Sequence, residues 1–398
     1  MKKNTLRIVG LFTSLLMSAT TQAGDFSGNI AAEARYFPSD PAYADQKGNN
    51  LSLSLQPEYR HKWDKGRKKF TFIPFYRFDK NDDERTHGDI RTLDVVVANY
   101  KWELQAGISK VFWGVTESQH LVDVINQTDT VESTDGEEKL GQPMIRASKL
   151  LENGSIDVFL LPYFRERTFP SEAGRFRGAL TVDTDQTSYE SSDKENHLDY
   201  AVRWNKTFDT VDLGIHWFDG TSREPELRLG TKNGKAVLTP HYPLMQQVGI
   251  DAQYTGEDWI WKLESIHRKT KNTNYNAAVA GFEYTIPGIA GGSKDLGLLA
   301  EYHFDSRDEN ATTPFQNDLF AGARLAFNDT QSTEILAGVF QDLDHDGRSM
   351  RVEASRRLKN NYKLNIEAQT ISDTVAEDTA LYSIRDDDYV QVELQKFF

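Results

Sequence analysis

Apolar and polar residues alternate singly along most of the chain. Leu51, Leu53, Leu55, Tyr59 and Trp63 are interleaved with Ser52, Ser54, Glu58, Arg60 and Lys62. Leu198, Tyr200, Val202 and Trp204 alternate with Asp199, Arg203 and Asn205, and Val248, Ile250, Ala252 and Tyr254 with Gln247, Asp251 and Gln253. A two-residue period places one kind of side chain on each face of an extended strand. Each such segment therefore predicts a strand with an apolar and a polar face. From Asp25 onward no helical stripe of any length competes with this pattern.

The joints between these segments come in two classes that alternate. Residues 64–67, 99–101, 151–154, 206–209, 255–258, 287–295, 328–330 and 358–361 are short turns. Residues 38–49, 80–88, 113–141, 167–196, 220–245, 306–314 and 373–387 are loops, with 271–274 and 342–348 as shorter members of that class. A β-sandwich or a propeller has no reason to sort its connections this way. A closed antiparallel transmembrane β-barrel does, with tight turns at one rim and long loops at the other. The expectation is an all-β chain of eighteen strands, or sixteen if two weak segments are not strands. Tryptophans at 63, 102, 204, 217, 259 and 261 avoid strand centres in this assignment, as an interfacial aromatic girdle would.

Composition narrows the class. The 398 residues include 46 basic and 60 acidic side chains and no cysteine, for a formal net charge of −14. The absence of cysteine excludes disulfides, thiolate metal sites and a cysteine nucleophile. The acidic balance argues against nucleic-acid binding, which runs on Lys and Arg neutralising phosphates. A mean hydropathy of −0.60 leaves no room for a bundle of apolar helices. At the start of the chain, Lys2, Lys3 and Arg7 precede a short apolar run, and small residues follow up to Ala23. Residues 1–23 thus predict a cleaved export signal and residues 24–398 a single barrel domain.

The last strand ends on Phe398, with Val390, Val392 and Leu394 on one face. It resembles the terminal strand by which the assembly machinery of Gram-negative outer membranes recognises its barrels; Lys396 departs from the usual apolar residue. Residues 107–129 carry a second resemblance: a glycine-bearing strand, Trp113 followed by Gly114, then Glu117, Asn126 and Asp129. This order resembles a segment of a poorly characterised, porin-like outer-membrane β-barrel family of proteobacteria, with Glu117 two residues late. The resemblance implies a location and a pore-like architecture. In porin-like barrels the third long loop often folds inward, which makes 113–141 the candidate constriction, with Trp113, Glu117, Asp123, Asp129 and Glu132 as its candidate residues. Leu121, Val122 and Ile125 at helical spacing predict a short helix over 117–126.

The polar faces give the candidate lumen charges: Arg60, Arg77, Arg165, Arg203, Arg268 and Arg324 against Glu58, Asp199, Asp251 and Glu264. Facing rows of opposite charge would set a transverse field in a pore. Asp342, Asp344 and Asp346, with Gly347 and Glu353, fit a calcium-loop spacing, but the flanks predict strands where that motif needs helices.

No esterase elbow, zinc-protease or phosphate-loop motif occurs. The leading expectation is a porin-like channel without cofactor or catalysis, passing small hydrophilic solutes and bedded in outer-membrane lipid and lipopolysaccharide, with homo-oligomerisation left open. The alternatives are a closed barrel whose long loops bind a partner or polysaccharide, and an outer-membrane hydrolase.

Overall fold

The computed structural model describes residues 24–398; the expected export signal lies outside them. The first half of the wall is β1 (Asp25–Tyr36), β2 (Asn49–Trp63), β3 (Lys68–Asp79), β4 (His87–Ala98), β5 (Trp102–Ser109), β6 (Gln142–Leu151) and β7 (Gly154–Leu161). After the short β8 (Ser188–Tyr189) come β9 (Asp199–Phe208) and β10 (Val211–Thr221), then an outer hairpin, β11 (Glu226–Lys232) and β12 (Lys235–Tyr242). The wall resumes with β13 (Leu244–Thr255), β14 (Trp259–Thr270), β15 (Asn274–Ile286), β16 (Asp295–Asp305) and β17 (Asn317–Ala326). It ends with β18 (Glu334–Asp342), β19 (Arg348–Leu358), β20 (Tyr362–Ser372) and β21 (Tyr389–Phe397).

Eighteen of these strands form one sheet. Each pairs antiparallel with the next, and β21 returns to β1 from Asn29 opposite Phe397 to Tyr36 opposite Val390. Closure removes both sheet edges, so every wall strand has two neighbours to satisfy its N–H and C=O groups, the condition for crossing lipid. The other three strands build a small sheet from two long loops, with β12 antiparallel to β11 and parallel to β8.

The register sends the alternation outward as expected. Leu51 and Leu53 are each 52% exposed, whereas Ser52 and Ser54 between them are 6% exposed. Large apolar side chains outside and buried polar ones inside invert the rule for soluble proteins and match a lipid-facing barrel. Trp63, Trp102, Trp259 and Trp261 lie near the turn rim, whereas Trp204, expected away from strand centres, stands at the middle of β9 opposite Ile156 and Ile215. Trp217 is a correction: it stands well inside β10, opposite Val202 and Val248. On β21, Val390, Val392 and Leu394 face outward, and Lys396 sits near the turn rim with its ammonium 6.0 Å from the Tyr362 ring centroid. A cation can stay there because its stem lies on apolar surface while its head reaches water.

Two local expectations fail for identifiable reasons. The polar wall was extended through Arg165, but β7 ends at Leu161. Pro162 follows, and its missing N–H cannot serve a ladder. Arg165 therefore belongs to the loop 162–198, where it bonds Asp89 Oδ1 and the Gly141 carbonyl. Residues 117–126 contain no helix; their backbone donors are used elsewhere, as described next.

Candidate functional site: the inward loop and its anchors

The loop 110–141 enters the barrel and binds its far wall. Glu264 on β14 is fully buried and accepts from the backbone N–H groups of Val115 (2.6 Å), Thr116 (3.0 Å) and Val122 (3.1 Å), and from the Thr116 hydroxyl (2.7 Å). Glu301 on β16 accepts from the N–H groups of Glu117 (2.7 Å) and Ser118 (2.9 Å) and from the Ser118 hydroxyl. Two wall carboxylates thus take donors that a helix would have turned on its own carbonyls. Charge-assisted bonds of this kind are roughly twice as strong as neutral ones, which is why the apolar spacing at 121–125 yields no helix. Asp123 performs the same service within the loop, accepting from Trp113 N (2.6 Å) and Gly114 N (3.1 Å).

The predicted constriction residues each have a wall or loop partner, with Glu117 held on the side of the lumen opposite Asp129 and Glu132. Glu117 meets Arg324 on β17 (2.7 Å) and Lys262 on β14 (3.6 Å). Asp129 is buried between Arg91 (2.8 Å) and His87 (3.2 Å) on β4. Glu132 meets Arg77 on β3 (2.8 Å), and Asp135 reaches Arg351 on β19 (2.6 Å). Since β16, β17 and β19 lie across the ring from the loop's roots on β5 and β6, the loop spans the lumen. Trp113, Val122, Val124 and Ile125 form an apolar cluster with Met144, Phe159, Phe218, Met245, Ile266 and Tyr275 of the inner wall. Part of the lumen is therefore packed with apolar side chains.

Asp129 and His120 are among the loop groups shifted by these contacts. Burial alone would raise the Asp129 carboxyl, but His87 and Arg91 outweigh it and hold it down to about 2. Burial alone would lower the His120 imidazole, but Glu137 and Glu264 outweigh it and push the ring up to about 10. Both groups are charged across the ordinary pH range and help to fix the loop.

The remaining predicted wall charges also face inward and are paired. Arg203 on β9 reaches across β10 to hold Asp251 on β13 with two bonds (2.7 and 2.8 Å). Gly214 makes that crossing feasible: a Cβ there would stand 2.3 Å from an Arg203 nitrogen and 2.5 Å from an Asp251 oxygen. Arg268 binds Glu224 (2.6 Å), Asp199 binds Arg223 (2.9 Å), and Glu58 binds Arg60 (2.5 Å) near the turn rim. Arginines 223, 85 and 175 carry as much of the network as those predicted; they sit in loops, where alternation gives no signal.

Above the inward loop, other loops interlock. Arg175 and the N–H of Phe176 bind Asp387 (2.5 and 2.8 Å), and Lys47 N donates to the Ala173 carbonyl (3.1 Å). Phe37, Phe176 and Tyr389 form an aromatic triangle with centroids 5.3–6.0 Å apart. Phe176 has φ of +60°, a left-handed conformation costly for a bulky residue, held by its surroundings.

The calcium-like spacing of Asp342, Asp344 and Asp346 falls at the turn between β18 and β19, the strands its flanks predict. Asp342 uses one carboxylate oxygen to accept from the N–H groups of Asp344 and His345, and Asp344 binds Asn317. Asp346 has φ of +62° in a tight turn, and Glu353 pairs with Arg351 instead. Among the described residues no group of three His, Asp or Glu side chains is arranged to hold a metal ion. Two serine–histidine contacts also escaped the sequence. Ser118 Oγ lies 2.8 Å from His303 Nε2, but Glu301 already holds that hydroxyl; Ser188 Oγ lies 2.9 Å from His241 Nδ1 in the outer sheet.

A closed eighteen-stranded barrel with apolar exterior, charged interior and inward loop defines the class: this is the fold of the outer-membrane β-barrels. One solved structure supports this fold, and two others are less similar. Wzi of Escherichia coli, described as an outer-membrane protein involved in group 1 capsule assembly and a carbohydrate-binding β-barrel, is similar with a TM-score of 0.55 at 9% identity, over 94% of this chain and 84% of that one. A loop-deletion mutant of OmpT, an outer-membrane protein of Vibrio cholerae, gives 0.47 at 9% identity over 95% of this chain and all of its own. A mutant of the Rh. blastica porin gives 0.47 at 10% identity over 94% of this chain and all of its own. No family model matches the sequence, and no curated protein does.

Proposed function

We propose that the protein is a porin-like barrel of the bacterial outer membrane whose polar lumen passes small hydrophilic solutes under tight restriction, with the conformation described being its closed state. The observation that carries this reading is the span of loop 110–141. It is tied to Glu264 and Glu301 on one side, to Arg77, His87 and Arg91 on another, and to Arg351 on a third. A loop pinned on one sector narrows a pore; a loop pinned on three divides it. Single-channel recording of the refolded protein in a planar bilayer tests this. The intact protein should give small or rare current steps, and deletion of residues 116–138 should give large, long-lived ones. A large steady conductance from the intact protein would defeat the proposal.

A second reading, an outer surface that binds a partner or polysaccharide, is favoured by one feature. Two long loops build the ordered sheet of β8, β11 and β12, and Leu229 on β11 is 76% exposed. A silent barrel whose conductance does not rise on deletion of the inward loop would shift the weight to this surface.

A further inference from the structure

Beneath the inward loop, toward the turn rim, lies a recess of about 430 Å³. Its walls are the inner faces of β5, β6, β7 and β9, and its roof is the stretch from Val111 to Trp113. That size falls within the range of roughly 300–1,000 Å³ usual for small-molecule sites. Its charged lining residues are two guanidiniums, Arg146 and Arg203, and two carboxylates, Glu103 and Asp157. Arg146 pairs with Glu103, and Arg203 is held by Asp251. Asp157 accepts from Ser155 (2.6 Å), Asn205 (3.3 Å) and Ser148. Two guanidiniums against two carboxylates leave the lining without a net charge to concentrate an ion.

What it offers instead is one apolar ring face beside several neutral or paired polar groups. Phe112 is half exposed at the roof, whereas its neighbour Trp113 is buried. The Nε of Arg146 is buried and has no hydrogen-bond partner, and such an orphaned donor asks for an acceptor. Ser148, Ser155 and Asn205 add groups that can both donate and accept. A sugar ring carries a C–H face that lies on an aromatic side chain and hydroxyls that both donate and accept. An inorganic anion or a small carboxylate has no such face and brings a charge that the recess does not balance.

We propose that this recess is a binding site for a neutral, polyhydroxylated solute of one or two sugar rings, entered from the turn rim and stopped at Trp113. The proposal rests on the reading of the lumen as a solute path, but equilibrium binding in detergent tests it without any current. The refolded barrel would be titrated with glucose and with maltose by calorimetry, and sodium phosphate used as competitor. Saturable binding in the millimolar range, unaffected by added salt or phosphate, is expected. Phe112→Ala, at an exposed position that leaves folding intact, should weaken it about tenfold, equivalent to about 1.4 kcal/mol, and Arg146→Lys, which keeps the charge but removes Nε, should weaken it as well. Absence of saturation in a folded, protease-resistant barrel would overturn the site, as would phosphate competing with sugar on equal terms. Bilayer recording then separates the two claims: sugar binding by a protein that never conducts would leave the site standing and remove the path.

Discussion

The two halves of the barrel wall share a lipid-facing exterior and differ inside. From β6 to β15 the inner face carries Met144, Phe159, Phe218, Met245, Ile266 and Tyr275, packed against the inward loop. From β17 round to β2 it carries Arg324, Glu334, Arg351, Glu353, Glu58 and Arg60, all partly open to solvent. A charge buried against the inward loop, such as Glu264, is worth much because it has no water to fall back on; a partly exposed charge of the other sector is replaceable by water. The barrel thus combines a structural interior with an aqueous one, and the loop is the partition between them.

The largest expected effect lies on the packed side. Glu264→Ala removes the acceptor of four loop donors, and with each orphaned donor costing about 1–3 kcal/mol, loss of about 3–5 kcal/mol of loop docking is expected. Glu353→Ala, whose carboxylate is about half exposed and pairs with Arg351 on its own strand, should cost less than about 1 kcal/mol. Limited proteolysis of the loop alongside guanidinium unfolding reads both. Equal losses would erase the distinction between the halves.

The shared exterior comes next. Ile250→Arg places a charge on the lipid face and should cost about 2–4 kcal/mol, whereas Gln253→Arg, three residues on and facing the lumen, should cost much less. Equal costs would mean that the strand register is wrong.

A smaller and graded effect is expected with pH. The carboxyl of Asp129 is lowered from 3.8 to about 2 in the folded protein. It therefore contributes stability above its unfolded value that is lost as pH falls from 3.8 through 2. The ring of His120 is raised from 6.5 to about 10, so its contribution is full below 6.5 and is lost as pH rises through 10. Protection of the loop from protease should be greatest between these windows and should decline on both sides. In Asp129→Asn the acid decline should shrink, and in His120→Gln the alkaline one.

The strand plan was legible because a barrel repeats one instruction: alternation sets the face, and short or long joints set the rim. Each of the eight turns and nine loops falls where the alternation breaks. The inward position of the loop was legible only through resemblance, and its conformation was not. Its backbone partners, Glu264 and Glu301, are remote in sequence, and nothing at 115–122 announces them. The fit of Asp342 to a calcium spacing and of Leu121 to a helical one were local patterns overruled by a hairpin and by wall carboxylates. Arg165 was misplaced by a single proline. Pairings such as Arg203 with Asp251 depend on strand order around a ring and on a glycine that lets them meet, which alternation alone does not encode.

The central claim is that a segment without helix or strand is fixed by carboxylates of the opposite wall. Amide hydrogen exchange at residues 115–118 and 122 tests it most directly. Protection comparable to the barrel strands is expected at these five positions, falling sharply in Glu264→Ala while the strands stay protected. Exchange in the intact protein as fast as at the exposed loop 271–273 would contradict the account.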